Sequence, residues 1–244
     1  MLMPPNDPSR AAPLDHPSRD RPHRVYVALT NHCNRACPWC STCSSPDGNT
    51  WLSAAQFAAS FPPTGFFQLQ LEGGEPTVHP EFWEFVRLAR ENTRCTLLVL
   101  CTNGVALPRS PGRLREYLHR LGTPLIVKLS INHHLLDHDA ELIELATELK
   151  QLAAESVGQI QLVLNVRLRR GYDDDDRRVR ERVEQAGLLP EANIFYLQRY
   201  GFAANELDWE PPAPVWDNFR LVNPDGQVFG PDLIARSEGM RRLP

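Results

Sequence analysis

The chain has 244 residues, 42% of them apolar and 23% charged, with 26 Lys and Arg against 30 Asp and Glu for a net charge of -4. No basic excess is available to displace counterions from a phosphate backbone, which argues against a dedicated nucleic-acid binder. A chain of this length can build a full core without disulfides or a structural metal. Residues 1–24 lack the apolar stretch of a signal peptide, and apolar runs such as 97–100 fall far short of a membrane span, so no membrane partner and a cytoplasmic location are expected.

In chain order, residues 1–22 hold six prolines and few large apolar side chains, the composition of a disordered tail. Short β-rich runs then alternate with helical patterns. Strands are predicted at 24–29, 66–72, 96–102, 124–131, 160–168 and 193–198 from their apolar and β-branched density. Between them, Ser53 and Gln56 form a capping box before Phe57. Phe82, Phe85, Val86 and Ala89 keep helical spacing, as do Leu114, Tyr117, Leu118 and Leu121 behind Ser110-Pro111. Leu142, Leu145, Ala146, Leu149 and Leu152 give the longest apolar face. The acidic run 173–176 reads as charge at the start of the helix that follows rather than as a metal site. After residue 200 come a Pro-rich link, a hairpin predicted around Asn223-Pro224-Asp225-Gly226, and a helical segment containing Asp232 and Arg236.

Six β-α steps in sequence imply right-handed crossovers and a parallel sheet, hence an α/β fold. The count is two short of a closed eight-stranded barrel, so a doubly wound sheet and an open partial barrel both fit. In either, chemistry belongs at the C-terminal ends of the strands. The loop with the clustered cysteines follows the first strand, Gly73-Gly74-Glu75 the second and Thr102-Asn103-Gly104 the third, so all three are expected at one mouth.

Four of the six cysteines, Cys33, Cys37, Cys40 and Cys43, lie within eleven residues. Framework cysteines would be spread along the chain, so metal ligation is the better reading. A structural zinc site usually takes two separated knuckles, for which only the distant His133, His134 and His138 offer a partner. A [4Fe-4S] cubane suits closely spaced thiolates from one loop better. Whether Cys43 fills the fourth corner, as in an electron carrier, or leaves an iron open stays undecided by spacing alone. The spacings do not follow the usual ferredoxin order, and Ser44 rather than Pro follows Cys43.

Cys33-x3-Cys37-x2-Cys40 after the first strand, with Gly-Gly-Glu-Pro at 73–76 after the second, resembles the radical S-adenosylmethionine (radical SAM) enzymes over about residues 24–200. The resemblance implies a partial (β/α)6 barrel at 23–200, preceded by the tail and followed by a lid or edge cover at 201–244. It implies that Cys33, Cys37 and Cys40 bind a [4Fe-4S] cluster whose fourth iron chelates S-adenosylmethionine (SAM). An external one-electron donor such as flavodoxin or ferredoxin would drive cleavage to a 5'-deoxyadenosyl radical, which abstracts hydrogen from a small-molecule or peptide substrate. Trp39 is expected near the adenine, and Glu75 at the SAM ammonium with Gly73 and Gly74 giving backbone access. Lys128, Ser130 and Asn132 share one face of the fourth strand, and Asn165, Arg167 and Arg169 one face of the fifth. Of these, Ser130, Asn165 and Arg167 are the expected SAM contacts. Substituting Gly74 or Glu75 is expected to spare the cluster and weaken SAM binding.

Cys43 is then a spare thiol, a bystander or a hydrogen-atom donor. No cysteine follows Cys101, so the further cluster domain of many peptide-modifying relatives is not expected. Two other functions stay open: an activating enzyme that installs a glycyl radical on a partner, and a non-catalytic iron-sulfur electron carrier.

Overall fold

Alternation along the strands decides the architecture. In a computed structural model that describes residues 22–244 except Arg170, Pro214 and Trp216, the fourth strand buries Leu125, Val127, Leu129 and Ile131 while Ile126, Lys128 and Ser130 between them stay partly accessible. The buried set packs under the helices, and Lys128 and Ser130 face the concave side. Residues 1–21, which hold the expected tail, lie outside the described residues.

The strands are β1 (His23–Ala28), β2 (Phe67–Glu72), β3 (Cys95–Thr102), β4 (Leu125–Ile131), β5 (Ile160–Leu168), β6 (Ala192–Tyr196) and β7 (Phe219–Val222). They form one parallel sheet in the order β6-β5-β4-β3-β2-β1-β7, curled into a half-barrel with β6 and β7 at its edges. The open partial barrel is therefore the correct alternative, with seven strands where the sequence suggested six. The additional strand comes from the segment read as a hairpin. Its first arm joins the sheet beside β1, with Arg24 opposite Phe219 and Val27 opposite Val222, and its return is reduced to a bridge between Val222 and Val228.

The crossovers are α1 (Ala54–Ala59), α2 (Phe82–Glu91), α3 (Pro111–Leu121), α4 (His133–His138), α5 (Leu142–Glu155) and α6 (Asp174–Gln185), with α7 (Leu233–Arg241) after β7. Ser53 and Gln56 cap α1 reciprocally. Pro111 opens α3, and Gly122 stops it at a φ of 73°. Asp173 caps α6, and the three aspartates after it occupy its first turn, where the helix dipole favours negative charge. Asp232 likewise caps α7 by accepting from the Ala235 amide. The helices bury Phe57, Phe85, Leu114, Leu145 and Leu149 against the convex face of the sheet, each 4% exposed or less. Among the described residues no helix is long and apolar enough to cross a membrane.

Candidate active site

The loop between β1 and α1 holds the four cysteines, and its shape is set by bonds to the turn after β2. The amide of Gly74 donates to Thr30 O (2.7 Å) and that of Glu75 to His32 O (3.0 Å). A Cβ on Gly73, whose φ is 126°, would lie 2.5 Å from Thr30 O, and one on Gly74 only 1.9 Å from His32 O. The paired glycines are thus required by the backbone that leads into Cys33. Two tight turns follow, Cys40 N to Cys37 O (3.1 Å) and Cys43 N to Cys40 O (3.2 Å), the second closed by Cys43 at a φ of 49°.

Burial raises the Cys33 thiol, as do the Glu75 carboxylate and neighbouring thiols; burial and Cys40 push Cys37 up to about 12. The Asn103 amide donates to Cys33 Sγ (3.6 Å), the Ser44 amide contacts Cys40 Sγ (3.5 Å), and Thr42 Oγ1 lies 3.3 Å from the same sulfur.

Glu75 is fully buried. It accepts from Thr77 N (3.3 Å), Thr77 Oγ1 (2.6 Å), Thr102 Oγ1 (2.8 Å) and Asn103 N (2.8 Å), so it ties the end of β2 to the end of β3. Burial raises its carboxyl against those donors. It is not among the residues lining the cavity beneath it.

That cavity, about 380 Å³ and within the usual range for small-ligand sites, opens at the strand ends. Cys33, Cys37, Trp39 and Cys40 line it from the β1 loop, Gly73 and Gly74 from β2, and Ser130, Asn165 and Arg167 from β4 and β5. Cys43 is outside the lining, with its sulfur 3.8 Å from Ser237 O on α7. Arg169 turns away to Asp173 and Asp175, at 2.6 and 2.9 Å. Trp39 packs on His133 of α4, ring centres 4.9 Å apart.

The concave surface also holds Lys128 and Arg236, which the sequence offered as a face residue of β4 and a substrate-contact candidate, and Tyr26, Gln70, Glu72 and Cys101, which it did not select. The i, i+2 alternation that marked β4 and β5 also runs through Gln70 and Glu72 on β2 and Cys101 and Asn103 around β3, and would have found Gln70, Glu72 and Cys101. Arg236 on α7 pairs with Glu72 across the cavity at 2.7 Å, both largely buried.

No protein-family model matches the chain. PqqA peptide cyclase of Ruegeria pomeroyi is 34% identical over 117 residues, which cover 45% of this chain and 29% of that protein. GTP 3',8-cyclase of Acidothermus cellulolyticus is 28% identical over 175 residues, 67% of this chain and 47% of that one. The chain thus spans less than half the length of these curated relatives. Among solved structures, Streptococcus suis SuiB bound to precursor peptide SuiA superposes with a TM-score of 0.55 at 9% identity, over 86% of this chain and 59% of that chain, a likeness of fold. In its cysteine loop and paired-glycine turn the chain is similar to these curated relatives, which are radical SAM enzymes, a class whose cofactors are a [4Fe-4S] cluster and SAM.

The residues fit both groups. Three soft thiol donors on one loop suit iron-sulfur ligation. Among the described residues no three Cys, His, Asp or Glu side chains converge as one tetrahedral ion requires; a cubane takes one thiolate at each of three separate irons. The cavity beside them, which mixes apolar walls with polar side chains, is large enough for a small-molecule cofactor.

Proposed function

We propose that the protein is a radical SAM enzyme acting on a peptide or small-molecule substrate, with Cys33, Cys37 and Cys40 as cluster ligands. The observation that carries this reading is that these thiols, Trp39, Gly73, Gly74, Ser130, Asn165 and Arg167 border one cavity at the strand ends. Cluster and SAM together, when bound and reduced by an external one-electron donor, supply a 5'-deoxyadenosyl radical that removes hydrogen from the substrate.

The chain's own part is to position and to exclude water. Gly73 and Gly74 hold the β1 loop close to β2, and Glu75 locks that turn to the end of β3 through hydrogen bonds from Thr102 Oγ1 and Asn103 N, with Thr77 N and Oγ1 donating from its own side. Glu75, expected from sequence at the SAM ammonium, acts instead by holding the Gly73-Gly74 backbone that borders the cavity, since its own oxygens are engaged and it does not line the cavity. Arg167 offers a planar cation for the SAM carboxylate, Ser130 and Asn165 offer neutral polar groups beside it, and Trp39 offers an aromatic face for the adenine. Cys43 is a bystander held against α7. A peptide substrate draws support from the names of two similar proteins, a peptide cyclase and a peptide-bound SuiB.

Anaerobically reconstituted protein should hold about four irons per chain and release 5'-deoxyadenosine and methionine from SAM under dithionite. Cys33→Ala, Cys37→Ala and Cys40→Ala should each lose cluster and cleavage together, whereas Cys43→Ala keeps both. A normal cluster in Cys37→Ala, or loss of iron in Cys43→Ala, would overturn the ligand assignment.

A further inference from the structure

The cavity carries an unbalanced charge. Its lining includes four cationic side chains, Arg35, Lys128, Arg167 and Arg236, against the single carboxylate of Glu72. Arg236 is neutralised by Glu72 at 2.7 Å. Among the described residues no carboxylate pairs with Arg35, Lys128 or Arg167. A thiolate-ligated cubane is an anion, and SAM, a zwitterion bearing a sulfonium, is a cation, so their charges oppose each other and leave the surplus standing.

Of the three without a carboxylate partner, Lys128 is held by a side chain of a neighbouring strand. It pairs in register with Cys101, two residues back along β4 from Ser130, which pairs with Asn165. At about 3.3 Å per residue it sits some 6 to 7 Å further from the strand ends than that SAM-facing pair. Its Nζ donates to Gln70 Oε1 (2.8 Å) and lies 5.7 Å from the centre of the Tyr26 ring. The Gln70 amide nitrogen donates in turn to Glu72, Glu72 pairs with Arg236, and Arg236 Nε donates to Asn223 Oδ1 (2.9 Å). This ladder fixes the Gln70 oxygen toward Lys128 and fixes the ammonium in place. An ammonium has three donors, and here one has a protein partner. The remaining donors belong to a side chain that lines the cavity, where an anion would complete them.

We infer that Lys128, steadied by Gln70, forms an anion subsite on the barrel floor that receives a carboxylate or phosphate of the substrate. This deepens the radical SAM reading and rests on it: the substrate is an anion, with its charged group further from the cysteine loop than SAM. Neutral and cationic substrates are disfavoured.

The test is calorimetric, on anaerobically reconstituted protein saturated with SAM, titrated with glutarate and separately with inorganic pyrophosphate. At least one of the two should bind. Glutarate alone marks a carboxylate substrate, pyrophosphate alone a phosphorylated one, and binding of both supports the subsite equally. Lys128→Met should weaken that binding roughly tenfold or more, as expected for a lost charge-assisted bond, with SAM affinity held within about twofold, and Lys128→Arg should retain anion binding. Absence of anion binding in the wild type, equal binding by Lys128→Met, or displacement of the anion by SAM would overturn the inference. Titrations are repeated without SAM, so a protein that fails to bind SAM defeats the radical SAM reading while the anion result still decides the subsite.

Discussion

Asn103 shows how much one side chain contributes at this mouth. Its Nδ2 reaches Cys33 Sγ (3.6 Å) and Asn34 Oδ1 (2.7 Å), its Oδ1 accepts from Val105 N (3.0 Å), and its amide holds Glu75. Donors to ligand sulfur stabilise the more reduced, more negative cluster. Asn103→Ala should therefore keep its iron but lower the midpoint potential by on the order of tens of millivolts, read by an EPR-monitored redox titration. An unchanged potential would remove the sulfur contact from the account. The sequence places Asn103 at the mouth, as part of the loop after the third strand, but its contact with Cys33 is not legible there, because the two are far apart along the chain. His79 is a second such residue. Its ring is enclosed by Trp51 and Phe85, and burial lowers it to about 4 from an ordinary value of 6.5. The unfolded chain takes the proton first as pH falls, so stability is full above about pH 6.5 and declines toward pH 4. The loss should be on the order of 2 kcal/mol, less than the full linkage because solvent screens part of the ring. Urea unfolding between pH 7 and 4.5 should show a shallower acid limb in His79→Phe than in wild type.

At the scale of elements, the cysteine loop is clamped from two sides by glycines. Gly74 lies against His32, and Gly201, in the 3-10 turn Gly201–Asn205, lies against Cys40, whose carbonyl would be 2.2 Å from an added Cβ. Phe202 N donates to that carbonyl (2.9 Å), and Ser237 Oγ of α7 donates to Ser41 O (2.9 Å). Gly74→Val and Gly201→Val should therefore both cost cluster iron, measured per chain after reconstitution. For Gly74 this changes the expectation from sequence, which placed the effect on SAM alone; the clash is with the loop itself. Gly112→Ala is the control, since nothing lies within 4 Å of its position, and iron content should stay at the wild-type value. The elements that were legible have long periodic patterns, as α2 and α5 do, or dense apolar runs, as β3 and β5 do. The two that were not are short: α4 spans six residues, three of them histidine, and β7 spans four.

For the molecule as a whole, the class of fold was legible because six apolar strands alternate with amphipathic helices, and the mouth was legible because loops after parallel strands share one end. The concave surface was not. Glu72 and Arg236 meet from β2 and α7, and Lys128 meets Gln70 from β4 and β2, pairings set by the curl of the sheet and invisible to any window along the chain. The same limit hid the place of β7, whose four residues gain meaning only beside β1.

That placement orders events during synthesis. β1, which leads into the cysteine loop, is made before any other strand, yet it lies inside the sheet, flanked by β2 and β7. While the ribosome is still making β3 to β6, β1 therefore keeps one unpaired edge, and the loop lacks the cover of Gly201, Ser237 and β7. Contacts so distant in sequence form late. The cysteine loop therefore reaches its finished shape only once α7 has emerged and folded onto it, so any cluster it takes in that shape is installed after synthesis of α7.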